Sequence, residues 1–206
     1  MPASYQLVIG TTNAAKLREL RELLTPHGFV VKTLADFSAP LVVEEDGDTF
    51  AANARKKAIE QARHLNAWVL ADDSGIEVQA LDGRPGVYSA RYAGENATDA
   101  ENNARLLVEL GELLLARRGA RYVCHVAVAN PTGEVLAESA ATCSGRIGFK
   151  PAGSNGFGYD PLFEVIEYHR TFGELGPRVK SAISHRARAL RMIVPKLLQL
   201  AHGGVW

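Results

Sequence analysis

The sequence predicts an α/β fold built around a central twisted mixed β-sheet flanked by helices. Three observations predict it. Strand-like and helix-like patterns alternate through the first half, as βαβ units require. Pro131-Thr132-Gly133 separates two long apolar-rich runs and marks a hairpin, so the sheet is mixed rather than purely parallel. The 206 residues, 47% of them hydrophobic and 22% charged, suffice for a substantial buried core.

Residues 5–10 (YQLVIG) read as the first buried strand. After Thr11-Thr12-Asn13, Leu17, Leu20, Leu23 and Leu24 share one face of a helix, with Thr12 or Asn13 as its N-cap. A strand–turn–helix start of this kind offers backbone N–H groups and a positive dipole end to a phosphate. Lys16 lies in the first helical turn, where a cation is unfavourable unless an anion shares the site; a solvated surface lysine is the alternative. The turn lacks the glycines and the Lys-Ser/Thr ending of a Walker A loop. Residues 29–34 form a second strand. Residues 35–48 form a loop ending in Glu44-Glu45-Asp46, read either as a solvated acidic loop or as a source of metal-binding carboxylates. A helix follows at about 49–65. Phe50, Ala54, Ala58, Ala62 and Leu65 mark its apolar face, and Lys57 is a candidate phosphate contact.

The next stretch organises the chain. The apolar run 68–71 reads as a buried strand, and Asp72-Asp73-Ser74-Gly75 as the turn that ends it. Two adjacent carboxylates at a strand tip repel unless a cation, a proton or basic side chains relieve them. A hard cation such as Mg²⁺ takes such oxygen ligands together with substrate phosphates; a turn-capping role for the pair is the other reading. Residues 76–81 (IEVQAL) alternate apolar and polar, as in a half-exposed strand. Residues 87–94 form an irregular loop with Arg91 between aromatics.

Thr98 and Glu101 make a capping box for a helix from 98 to about 118, with Leu106, Leu107, Leu110, Leu113 and Leu114 as its stripe. The hairpin arms are 121–130 and 134–143, and His125 is read as a packed or edge histidine. Phe157 to Asp160, in the run GFGYDP, form a rigid loop with exposed rings. Phe157 either stacks on a planar ligand or plugs the core. The last helix opens at residues 180–186 with Ser184 as N-cap, and Pro195 predicts a kink or break within it. His185 and Arg186 fall in its first turn, again unfavourable for cations unless a ligand is near.

Composition excludes several classes. Lys plus Arg (23) equals Asp plus Glu (23), so no charge imbalance points to nucleic acid or a membrane surface. No apolar run is long enough to span a bilayer, and the N-terminal residues lack the pattern of a signal peptide. Cys124 and Cys143 form no Cys-x-x-Cys pair and read as buried free thiols in a reducing cytoplasm.

Five ordered blocks, TTNAAKLREL, EEDGDTFAANARKKA, ADDSGIEVQALDGRPGVYSARYAG, GFGYDPLF and KSAISHRARAL, resemble the non-canonical purine nucleoside triphosphate pyrophosphatases, also called dITP/XTP pyrophosphatases or inosine triphosphatases. The resemblance spans nearly the whole chain, and the third block is its most specific part. It implies a single domain over residues 1–206, two-lobed and inosine triphosphatase-like, with the active site in the cleft between lobes. It implies a cytoplasmic homodimer that binds small-molecule purine nucleoside triphosphates and neither nucleic acid nor membrane. The implied activity is metal-dependent hydrolysis of ITP, dITP and XTP to the monophosphate and pyrophosphate, with Mg²⁺ as cofactor and Mn²⁺ as a substitute.

The resemblance also implies roles by position. Thr11, Thr12, Asn13 and Lys16 match the phosphate-binding turn, and Lys57 a basic residue near the phosphates. Glu44 and Asp73 match the metal ligands, with Glu45 and Asp72 close by. Asp73 also matches the proton acceptor for the attacking water, and Ser74 a substrate contact. Phe157, Gly158, Tyr159, Asp160, Lys180, His185 and Arg186 match residues that hold the purine and ribose. Two positions depart from the pattern. Ala52 stands where the family usually has Glu, which removes half of a capping box, and Ala187 stands where it usually has Gly.

Overall fold

The computed structural model describes residues 5–206. Seven strands form one sheet in the order β2-β1-β3-β4-β5-β6-β7. They are β1 (Tyr5–Ile9), β2 (Phe29–Thr33), β3 (Val69–Val78), β4 (Gly119–Ala129), β5 (Val135–Ile147), β6 (Phe163–Val165) and β7 (Arg170–Thr171). Strand β1 runs parallel to both β2 and β3, whereas β5–β6 and β6–β7 are antiparallel, so the sheet is mixed as expected. The helices are α1 (Ala14–Leu24), α2 (Phe50–Leu65), α3 (Asp99–Leu110), α4 (Pro177–Ile183) and α5 (His185–His202).

Contacts divide the chain into two units. The first takes the chain up to Asp73, Cys124–Ala141 and Arg186–Trp206; the second takes Ser74–Val123 and Thr142–His185. In the first unit the period-two alternation of strands fills two cores, one on each sheet face. Leu7, Ile9, Trp68, Leu70, Cys124 and Val126 meet Leu20, Leu24, Leu190, Ile193 and Leu197 of α1 and α5. Val8, Val69, Ala71, Ala127 and Ala129 meet Ala54, Ala58 and Ala62 of α2, where alanine lets helix and sheet approach closely. The second unit has its own core of Ile76, Val78, Leu106, Leu110, Tyr122, Ile147, Phe163 and Phe172.

Several local expectations are corrected. Asp72-Asp73-Ser74-Gly75 is no turn: β3 runs straight through it to Val78, joining two runs read as separate strands. The helix expected to reach residue 118 ends at Leu110, because Gly111 turns out of it at φ 45°. Leu113 (38% exposed) and Leu114 (73%) therefore belong to no buried stripe. Strand β5 continues four residues past Cys143. The stretch 180–186 belongs to two helices, with Ser184 closing α4 at a β-region ψ of 156°. Helix α5 passes through Pro195 without a break. Burial of Ile193, Val194 and Leu197 offsets the one backbone hydrogen bond that proline removes. Finally, Tyr159 is buried at 4% exposure, not an exposed ring.

Candidate functional site

Continuation of β3 through the two aspartates decides what they do. Adjacent residues of a strand point to opposite faces. Asp72 follows Trp68 and Leu70 onto the α1/α5 face, and Asp73 follows Val69 and Ala71 onto the α2 face. Mutual repulsion is thus relieved by separation, and each carboxylate pairs directly with different cations.

Asp72 is 1% exposed. Its Oδ2 lies 3.4 Å from Lys16 Nζ and 3.3 Å from Arg186 Nε. The Cys124 thiol sits 4.0 Å from the same oxygen. Burial alone would raise the Asp72 pKa, but Lys16, Arg186 and Lys57 outweigh it and hold the carboxyl well below the usual range. Burial, reinforced by Asp72, pushes the Cys124 thiol up to about 12, so this cysteine is an inert neighbour rather than a nucleophile. Arg186, 2% exposed, also donates from its terminal nitrogen to Glu19. The anion that rationalises Lys16 at a helix start is therefore in part Asp72 itself.

Asp73 is 5% exposed. Its Oδ2 accepts from Asn53 Nδ2 at 3.1 Å, and its Oδ1 lies 3.4 Å from Lys57 Nζ. The same ammonium pairs with Glu45 Oε1 at 3.0 Å. Burial raises the Asp73 pKa; Lys57 and Lys16 oppose that shift, Glu45 adds to it, and the net direction is upward. For Lys57, burial alone would lower the pKa, but Asp73, Glu45 and Asp72 hold it above the ordinary lysine value.

Helix α2 also fastens the acidic loop. Asn53 accepts from Gly47 N at 2.8 Å, Gln61 donates to Leu41 O at 2.6 Å, and Lys56 pairs with Asp46 at 2.7 Å. Glu44 is exposed on that loop, near enough to Lys56 to raise its pKa. Among the described residues no three His, Cys, Asp or Glu side chains gather into a metal cage. Asp73 and Glu45 sharing one lysine supply hard oxygen donors, the set that Mg²⁺ takes when substrate phosphates complete its shell.

The turn before α1 is more occupied than the sequence suggests. Asn13 Oδ1 caps the helix by accepting from Ala15 N and Lys16 N, both at 3.0 Å, and Thr11 Oγ1 accepts from Asn13 N at 3.2 Å. Thr12 is exposed.

The second unit gathers the other expected residues. Lys180 Nζ lies 2.6 Å from Asp160 Oδ2 and 4.4 Å from the centre of the half-buried Phe157 ring. Asp160 also accepts from Phe157 N at 2.8 Å and from the Tyr122 hydroxyl at 3.2 Å. The His185 ring stacks on Tyr122 with centroids 4.6 Å apart and an interplanar angle of 8°. Ser74, partly buried, follows Asp73 on β3.

The structure thus brings Lys16, Asp72 and Arg186 together, and separately Lys57, Glu45 and Asp73. Phe157, Lys180, Asp160, Tyr122 and His185 form a third, linked group. Sequence reasoning missed Asn53, Gln61, Glu19 and Tyr122. A signal existed for three of them. Asn53, Lys57 and Gln61 recur every four residues as a polar row beside the alanine row of α2, and Glu19 stands one turn after Lys16.

Fold and charge arrangement define a mixed α/β protein with an ion-paired aspartate on each face of one strand. A family model described as the Ham1 family matches residues 7–196, and the chain belongs to that family. It is 52% identical over 200 residues to a dITP/XTP pyrophosphatase of Rhodopirellula baltica, covering 97% of this chain and 96% of that protein. It is 50% identical over 185 residues to a dITP/XTP pyrophosphatase of Geobacillus kaustophilus, covering 90% of each. Among solved structures, a HAM1 protein from Coxiella burnetii superposes with a TM-score of 0.86 at 39% identity, over 95% of this chain and 99% of that one. The Staphylococcus aureus Ham1 protein gives 0.83 at 38%, over 93% and 97%.

Proposed function

We propose that the chain hydrolyses non-canonical purine nucleoside triphosphates (ITP, dITP and XTP) to the monophosphate and pyrophosphate, and so cleanses the nucleotide pool. The observation that carries the reading is the buried Asp73 carboxylate beside Glu45, both on Lys57. A module that only binds nucleotide has no need of a carboxylate held where burial opposes its charge. The names of the relatives supply the substrate class.

The triphosphate is a polyanion, and Lys16, Lys57 and the turn at Thr11–Asn13 meet it with cationic and dipolar groups. Asp73 orients the attacking water and takes its proton. Asn53 fixes the Asp73 rotamer from α2. Asp73 with Glu44 or Glu45 would hold Mg²⁺, or Mn²⁺ in its place, and a bound cation would supply charge neutralisation at the phosphates and a more acidic water. Phe157 stacks on the base, with Ser74, Gly158, Tyr159, Asp160 and Lys180 around the nucleoside. Donors at the His185-Arg186 turn, backbone N–H groups included, favour a 6-oxo edge, because an adenine amino group there would leave them unpaired at about 1–3 kcal/mol each. Equal loss of ITP and ATP hydrolysis in Arg186→Ala would remove that edge-reading role.

Cytoplasmic residence and a homodimer belong to the same reading; among the described residues no helix is long and apolar enough to cross a membrane. The test is ITP hydrolysis after chelation and add-back. Activity lost with chelator and restored by Mg²⁺ is expected, with Mn²⁺ as a weaker substitute. Full activity in excess chelator would contradict the metal assignment.

A further inference from the structure

The loop from Gly156 to Asp160 is pinned at almost every polar group. Asp160 accepts from Phe157 N and pairs with Lys180. The Tyr159 hydroxyl donates to Ser89 O at 2.8 Å. At the centre, Gly158 sits at φ 61°, in the left-handed region. Both of its backbone polar groups are taken by α3. Its N–H donates to Asp99 Oδ2 at 2.6 Å, and its carbonyl accepts from Asn103 Nδ2 at 3.0 Å. Asp99 and Asn103 are four residues apart and so lie on one helix face. The Asn103 amide is only 7% exposed, and the Gly158 carbonyl decides its orientation, since the flipped amide would set oxygen against oxygen. In the same loop the ring of Phe157 is half-buried, with the Lys180 ammonium 4.4 Å from its centre.

We propose that Asp99 and Asn103 are positioning residues for base recognition: clamping both sides of Gly158, they fix the Phe157 ring that the purine stacks on. The proposal rests on the function given above and deepens it. Glycine is the residue with most backbone freedom, so an unclamped Gly158 would leave the preceding ring in many orientations. Ordering it would then fall on substrate binding and weaken apparent affinity by the fraction of competent loops. Neither residue touches the phosphate-binding or carboxylate groups. The clamp therefore acts on base affinity and leaves the hydrolytic step alone.

The test compares Asp99→Ala, Asn103→Asp and Asp99→Asn with the wild type. Asp99→Asn keeps an acceptor for the Gly158 amide; Asn103→Asp turns an acceptor onto an acceptor at constant volume. The readings are kcat and KM for ITP, inhibition by inorganic pyrophosphate, the melting temperature, and hydrogen exchange at the Gly158 amide. Asp99→Ala and Asn103→Asp should each raise KM about tenfold, on the order of the worth of one hydrogen bond. In both, kcat and pyrophosphate inhibition should hold. The Gly158 amide should be protected in the wild type and in Asp99→Asn, and exchange freely in Asp99→Ala. Three results would overturn the clamp while leaving the function standing: wild-type KM in both disrupted variants, equal impairment of Asp99→Asn and Asp99→Ala, or an unprotected Gly158 amide in the wild type. No ITP hydrolysis by the wild type would overturn the function, and the clamp's role with it.

Discussion

Asp72 and Asp73 show how one peptide step can separate structure from chemistry. Asp72 is ionised and enclosed by Lys16 and Arg186, so Asp72→Asn removes the buried charge that both face and leaves Arg186 to Glu19. Breaking a buried pair in this way costs on the order of 3 kcal/mol, and a melting temperature lowered by several degrees checks it. Asp73 is the reverse case. Its pKa is raised in the folded chain, so ionising it costs folding stability, and Asp73→Asn should melt at or above the wild-type temperature while losing activity about 10²-fold or more. If Asp73→Asn unfolded as easily as Asp72→Asn, the separation of roles would be wrong.

Tyr92 makes stability depend on pH. Burial, and then its hydrogen bond to Glu109 at 2.7 Å, push its pKa from 10.0 up to about 12. The folded state holds the phenol proton more tightly than the unfolded state. The stabilisation is therefore complete below pH 10 and is lost as pH rises towards 12. Tyrosinate absorbance should show a step near pH 12 that vanishes in Tyr92→Phe and moves down in Glu109→Gln.

At the scale of elements, helix α2 does most to shape the site, and its start is improvable. Thr49 Oγ1 accepts from Ala52 N at 3.1 Å, but Ala52 cannot return the bond to the Thr49 amide. Ala52 is exposed, so Ala52→Glu has room to complete the capping box and should stabilise by roughly 0.5–1 kcal/mol without changing kcat. A lower melting temperature would mean that the charge is unwelcome beside Asp48 and the acidic loop.

Elements also explain what the sequence made legible. Periodicity located α1, α2, the βαβ start and the β4–β5 hairpin, because each satisfies one local rule. It failed where tertiary context overrode local chemistry. Asp-Ser-Gly is turn-like in isolation, yet the cations of α1, α2 and α5 let two aspartates lie within a strand. Leu113 and Leu114 continued a leucine pattern that Gly111 ends. The candidate site was legible by type more than by partner. The motifs named Asp73, Lys57 and Arg186, whereas the partners that Asn53, Glu19 and Tyr122 take emerge only when distant segments meet.

For the whole molecule, each unit has its own core and its own set of site residues. The first carries Asp73 paired with Lys57; the second carries the Phe157 ring beside Lys180 and the clamped loop, and the proposed function assigns phosphates to the one and the base to the other. The most direct measurement is pyrophosphate release from ITP, XTP, ATP, GTP and dTTP with Mg²⁺, for the wild type and Asp73→Asn. Fast release from ITP and XTP alone, abolished in the variant, is the predicted result. Equal slow release from all five, or an unaffected variant, would contradict it.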